Sequence, residues 1–217
     1  MKKLIAVVAV LTLLASPAFA QFAPEVLKVR GDARIMKKGA SEMVPLTEKM
    51  NVANGDTIKT GNDGVVAVGF VENRKNLIRI GNNTEAVIES GNMPVYSVNL
   101  IRGDVIALVL SLPQDSTFLI KTSDGISTAI GTGWRGVTDG DGSTFEAFDN
   151  SITVNGIYAD GSPMMATTFL NEGYMTTVKK LSAPGPVAKI PPADVDLWND
   201  WRNEVKNIMA ELSMIKN

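Results

Sequence analysis

The stretch "NGDTIKTGNDGVVAVGF", residues 54–70, decides how the rest of the chain is read. Gly55, Gly61 and Gly64 stand with Asn and Asp around the apolar Ile58, and the run then enters the β-prone Val65 to Phe70. A phosphate loop needs G-x-x-x-x-G-K-[ST] or G-x-G-x-x-G spacing and a helix whose N-terminus holds the anion. Neither spacing is present, and the segment after Gly64 has the pattern of a strand. Glycine tolerates positive φ, and Asn and Asp bond to their own backbone. The stretch is therefore read as two successive turns, Asn54-Gly55-Asp56 and Gly61 to Gly64, which launch a strand from Val65 to Val71 and send Phe70 or its neighbours into the core.

Working outward, the pattern repeats. Short apolar or alternating runs lie at Val26–Arg30, Asn76–Ile80, Ala86–Glu89, Val95–Ile101, Val105–Leu110, Thr117–Thr122, Ile126–Ile130, Thr144–Phe148, Ser151–Val154 and Met175–Val178. Ser97-Val98-Asn99-Leu100 and Ser151-Ile152-Thr153-Val154 alternate with a period of two, which puts one face on a core and one in water. No amphipathic helix interrupts them, so residues 21–181 read as an all-β domain. Gly31, Gly55, Gly81, Gly103 and Gly125, each beside a polar residue, are spaced 24, 26, 22 and 22 residues apart. Such a recurring corner fits a solenoid-like body, while frequent turns also fit a sandwich-like one, and both stay open.

The character changes at the C-terminus. Residues 182–193 are a Pro-rich linker, and Asp194 is expected to cap a helix over 194–217. Its apolar positions Trp198, Trp201, Val205, Ile208, Leu212 and Ile215 are spaced 3, 4, 3, 4 and 3 apart, a coiled-coil-like stripe. Such a stripe either docks on the β-body or recruits a partner, including a second copy of the chain.

At the other end, Lys2 and Lys3 precede the apolar Leu4–Leu14 and the small-residue frame Ala18-Phe19-Ala20. This is the pattern of a secretory signal peptide over residues 1–20, cleaved before Gln21. Eleven residues, ten of them apolar, fall short of the ~20 that span a bilayer, so no membrane span is expected in the mature chain. Periplasmic or secreted localisation follows as an expectation, without lipid attachment, because no cysteine is present.

Composition narrows the chemistry. Without the two leader lysines the chain has 19 basic and 23 acidic residues and no basic patch, so nucleic acid is not an expected partner. Cysteine and histidine are both absent, which removes the thiol nucleophile, the commonest general base and the ligands favoured by zinc, copper and haem iron. "TDGDGST", residues 138–144, spaces Asp139 and Asp141 as calcium loops do, but Thr144 and Asn150 stand where an EF-hand needs Gly and Glu. A hairpin turn is the expected reading. Arg-Gly-Asp occurs at 30–32 and 102–104, each copy where a strand turns. "GISTA", residues 125–129, lacks the last glycine of a nucleophile elbow, and without histidine only a Ser-Lys pairing with Lys59 or Lys121 is left for Ser127. No catalytic residue, cofactor or metal ligand is assigned.

Taken in chain order, Val29-x-Gly31, "NGDTIKTGNDGVVAVGF", "LIRGDV", "FLIKTSDGISTAIGT" and "LNEGYMTTV" resemble the FecR-domain family over residues 26 to about 180. The positions that carry the resemblance are Gly55, Asp56, Gly61, Gly64, Phe70, Gly103, Gly131 and Thr132, all expected in structural turns or their strands. The residue before Gly131-Thr132, often basic in that family, is Ile130, so no ligand-contact role is carried over. The resemblance implies an all-β binding or regulatory module, its best-known members relaying an iron-chelate signal to a cytoplasmic sigma-factor system. With an export leader ahead of the domain, the expectation is a free-standing, non-enzymatic module of the bacterial envelope that presents a β-surface to another envelope protein or a cell-wall component. The alternatives are a structural or adhesive envelope protein and a hydrolase using calcium or Ser-Lys.

Overall fold

The computed structural model describes residues 24–70, 76–90, 95–129 and 131–215; the leader, the Val71 end of the expected strand and Ile130 lie outside them. Strands are numbered in chain order. In order of pairing, sheet A contains β1 (Glu25–Arg30), β5 (Val65–Phe70), β6 (Asn76–Ile80), the second half of β8 (Val95–Val109), β11 (Gly133–Thr138), β12 (Ser143–Asp149), β15 (Tyr174–Val178) and β16 (Ala188–Lys189). Sheet B contains β3 (Val44–Pro45), β2 (Ala33–Met36), β4 (Thr57–Thr60), β7 (Glu85–Ser90), the first half of β8, β9 (Thr117–Lys121), β10 (Gly125–Ala129), β13 (Ser151–Ile157) and β14 (Pro163–Asn171). Helix α1 runs over Pro192–Ile215. The protein is all-β with one C-terminal helix.

Period-two burial explains why the two sheets stack. In β5, Val66, Val68 and Phe70 join the central core while Ala67 faces the other way; in β8, Val105, Ala107 and Val109 face in while Ile106 and Leu108 face out. Sheet B supplies Ile35, Ile58, Ile88, Val98, Leu100, Phe118, Ile120 and Val154 to the same core. The layers are locked by a chain of aromatic edges: Phe70 from sheet A meets Phe118 from sheet B at 5.2 Å, and Phe118 meets Trp134 from sheet A at 5.7 Å, both T-shaped. Nearly all neighbouring strands are antiparallel, β8 with β9 being the parallel pair, so the body is a sandwich and not a stack of parallel coils.

The recurring corners are nevertheless real. The chain crosses between the sheets at Gly31-Asp32, at Gly61–Gly64, at Gly81–Thr84 and, within β8, at Gly103-Asp104. These crossings line up along one side of the sandwich, tied by Gly61 N–H to Asp32 O, Asn83 N–H to Gly61 O and Gly81 N–H to Asp104 O. Gly103 sits at φ +89°, where a side chain would be strained, and a Cβ on Gly81 would lie 1.9 Å from Asp104 Oδ1. Gly55 and Gly125 are exceptions, since Gly125 opens β10 in the β9–β10 hairpin within sheet B. Gly55 lies at the opposite end of β4, bonded to Ile88 O, so the place of these two glycines in the rhythm is a coincidence of loop length.

Candidate interaction surface

Helix α1 settles what happens to the outer face of sheet A. Trp198, Trp201, Val205 and Ile208 are buried on Ala67, Leu77, Ile106, Leu108 and Phe148, with Leu212 partly buried beside them. Trp198 stacks on Phe148 at 5.1 Å and fills the space where Gly133 has no side chain, since a Cβ there would stand 2.1 Å from the indole. The stripe that could have recruited a partner is therefore packed against its own sheet. The helix also begins two residues earlier than the expected Asp194 cap, because Pro192 takes a first-turn position that needs no N–H. The N–H groups of Asp194 and Val195 bond to Pro191 O, and the Asp194 carboxylate turns to Arg135 instead.

Beneath the first turn of α1 lies a row of charge. Arg79 pairs with Asp104 at 3.3 Å, and Arg135 reaches Asp104 at 3.4 Å, Glu146 at 3.4 Å and Asp194 at 2.7 Å. All but Asp194 are largely enclosed. Burial pushes Glu146 up to about 7, against the opposing pull of Arg135. This network clasps helix to sheet and leaves only Asp194 among these groups partly open to solvent.

The positions that carry the sequence motif are likewise structural. The buried Asp56 carboxylate accepts from Ala53 N–H at 2.8 Å, Lys38 N–H at 2.9 Å and Lys37 Nζ at 2.7 Å. Burial opposes ionisation there, but Lys37 and the two backbone N–H groups outweigh it and hold the group below its ordinary range. Gly61, Gly64 and Gly103 form the corners described above, Phe70 is in the core, Thr132 O accepts from Val109 N–H, and Gly131 O accepts from Asn150. Asp139 Oδ1 accepts from Asp141 N–H within the β11–β12 hairpin, and no cluster of three acidic side chains suited to a metal occurs among the described residues. In the Arg-Gly-Asp copies, Asp104 is buried in the clasp and Arg30 is held by Glu204 at 3.0 Å. Ser127 is fully buried, accepting from Trp134 Nε1 and donating to Ile120 O.

The outer face of sheet B differs. Direct cross-strand partners form a row Glu89, Ser97, Leu119, Thr128, Thr153, Phe169 across β7, β8, β9, β10, β13 and β14. A second row runs Val87, Asn99, Lys121, Ile126, Asn155, Thr167. Among the described residues no helix covers this face. Ser97 Oγ donates to Glu89 Oε2 at 2.8 Å and Lys121 Nζ donates to the same oxygen at 2.9 Å. Burial works against the Glu89 charge, yet Lys121 and Ser97 together keep its carboxyl below the usual range, so the seam carries a fixed ion pair. Lys121 is engaged in that ion pair. Sequence reasoning did not assemble this face, since it depends on the parallel β8–β9 pairing; its available signal was the alternation in Ser97-Val98-Asn99-Leu100. A smaller feature, a groove of about 430 Å³ where the Pro-rich strap crosses β15, is lined by Met175, Thr177, Lys179, Ser182 and Pro186 and gathers no set of titratable groups beyond Lys179.

No protein-family model and no curated protein sequence matches the chain. Among solved structures, two crystal structures of a "putative anti-sigma factor" from Parabacteroides distasonis ATCC 8503, at 1.65 and 2.50 Å resolution, are similar to it, each with a TM-score of 0.52 and 10% identity. The match covers 65% of this chain and 63% of that one, so this chain accounts for less than two thirds of that protein's length. At this identity the likeness is one of fold.

Proposed function

We propose that the chain is an exported, non-enzymatic regulatory or binding module of the bacterial envelope, FecR-like in kind, and that it works by presenting the outer face of sheet B to another envelope protein. The observation that carries this reading is the asymmetry of the sandwich: α1 closes the outer face of sheet A, while sheet B offers a mixed face that no helix covers among the described residues, with Leu119 and Ile126 between a fixed ion pair and the threonines. A face with few charges and scattered apolar groups suits recognition of a protein surface. The fold likeness to a protein described as an anti-sigma factor supports a regulatory role, and the Lys2–Ala20 leader supports export. The test is to tag the mature protein in bacteria that make it, separate periplasm, membrane and cytoplasm, and co-purify after mild cross-linking. Recovery from the periplasm with one envelope protein, lost on Leu119→Asp, is the expected result. Recovery of the mature form from the cytoplasm, or a partner indifferent to Leu119→Asp, would contradict it.

A further inference from the structure

The clasp beneath the first turn of α1 is short of positive charge. One nitrogen, Arg135 Nη1, serves two carboxyl groups, Glu146 of β12 at 3.4 Å and Asp194 of α1 at 2.7 Å, so an acid of the sheet and an acid of the helix meet on the same donor. Arg135 Nε faces a third, Asp104 of β8, at 3.4 Å, and Arg79 of β6 completes the group at 3.3 Å from Asp104. From β15 the uncharged Met175 stands opposite Glu146. Two guanidiniums therefore face three carboxyl groups in a space where only Asp194 is appreciably open to water. Enclosed like charges ionise together only at high cost, and such a pair of acids keeps one proton. A helix N-terminus favours negative charge, and Asp194 stands in the first turn, so the proton rests on Glu146.

We infer that this proton, held between Glu146 and Asp194, latches the N-terminal turns of α1 to sheet A, and that its loss loosens them. With the proton the clasp is neutral in sum, and Glu146 lies within hydrogen-bond reach of Asp194. Without it a net negative charge is left at the helix–sheet contact, and Asp194 is the member able to leave for water. Burial and the Asp194 charge push Glu146 up to about 7 against the pull of Arg135, so the latch is complete below pH 4.5 and is lost as pH rises through about 7. The fold is divided where such a latch needs a division. α1 packs in a cluster with Leu77, Ile106, Leu108 and Phe148, apart from the core between the sheets. The strap before it is tied by Gly185 N–H to Thr177 O and Ile190 N–H to Gly173 O, and Arg30 holds Glu204 farther along the helix, so movement falls to the turns after Pro191. Trp201 Nε1 is buried without a hydrogen-bond partner among the described residues, a donor that gains water when those turns loosen. The outer face of sheet A is thus a surface covered in acid and released toward alkaline pH. The inference does not rest on the envelope reading, since the purified chain suffices to test it.

The three tryptophans divide between the latch and the core, so their indole N–H signals in the NMR spectrum of the mature chain report on each separately. Between about pH 5 and about pH 8.5 the Trp198 and Trp201 signals should shift together with a midpoint near 7, while Trp134 in the core stays in place. Solvent exchange at Trp201, corrected for the intrinsic base-catalysed rate, should rise about tenfold or more over the same range. Glu146→Gln should hold both helix signals at their acid positions at every pH. Asp194→Asn, which removes the second acid, should lower the midpoint by about one unit or more. Helix signals that stay flat across the range in the parent chain, or a transition that both variants leave unchanged, overturn the inference.

Discussion

On the outer face of sheet A, Leu77, Ile106 and Leu108 lie under two tryptophans of α1, whereas the outer face of sheet B sets Leu119, Ile126 and Thr153 beneath no helix among the described residues. The two faces are made of the same strand β8, which turns from one sheet to the other at Gly103. What separates them is composition. Sheet A alternates apolar with apolar along β5, β6 and β8, so both its faces must be covered, while sheet B alternates apolar with Ser, Thr, Asn and charge, so one face tolerates water. The charges on the two faces follow suit: Glu146 is enclosed below α1 and pushed up to about 7, and Glu89 keeps its charge through Lys121 and Ser97.

The comparison breaks most readily at the tryptophans. Trp198→Ala and Trp201→Ala are each expected to cost about 3–5 kcal/mol in urea unfolding, as for other buried aromatic truncations, and a loss under about 1 kcal/mol would show that α1 is not a cover for sheet A. Next comes the shared corner. Gly81→Ala drives a methyl into Asp104 Oδ1 and should cost about 2–3 kcal/mol, while Gly140→Ala, which meets nothing within 4 Å, should cost about 1 kcal/mol from backbone strain alone.

A smaller and pH-dependent difference should separate the two carboxylates. Because Glu146 titrates near 7 in the fold against 4.5 when free, the fold favours its neutral form; its stabilising contribution is complete below pH 4.5 and is lost as pH rises toward 7. Glu146→Gln stays neutral, leaves Arg135 with Asp104 and Asp194, and should therefore be more stable than the parent by about 1–2 kcal/mol at pH 8 and equal to it at pH 4. Equal melting curves at both values would remove the buried charge from the account. The smallest effect is expected at Glu89→Gln, which loosens a part-exposed pair and should change stability by less than about 1 kcal/mol, with its consequence confined to binding.

Much of the fold is legible in the residues, and the failures have physical causes. The all-β body, the turns at Gly61 to Gly64 and the helical stripe follow from period two, turn chemistry and 3–4 spacing. β8 reads as two strands because Arg102-Gly103-Asp104 looks like a turn, yet it is a bend within one fifteen-residue strand that changes sheets. β11 escapes the pattern because Gly133 and Gly136 weaken its strand signal, when their bareness makes room for Trp198 and Ile120. β14 escapes it because an edge strand has so little burial that apolar and polar residues need not alternate. β2 and β4 are only four residues long and gain their order from pairing with each other. The candidate surface is the least legible part: Glu89, Ser97 and Lys121 become neighbours only through long-range pairing, which no local pattern encodes.

The most direct test places one photo-crosslinking side chain on each face of the mature protein in living cells, at Leu119 on sheet B and at the exposed Asn203 on the outer side of α1. The account predicts a single envelope-protein adduct from position 119 and none from position 203. An adduct from 203 with 119 silent would contradict it, because recognition would then run through the helix and the open face of sheet B would be idle.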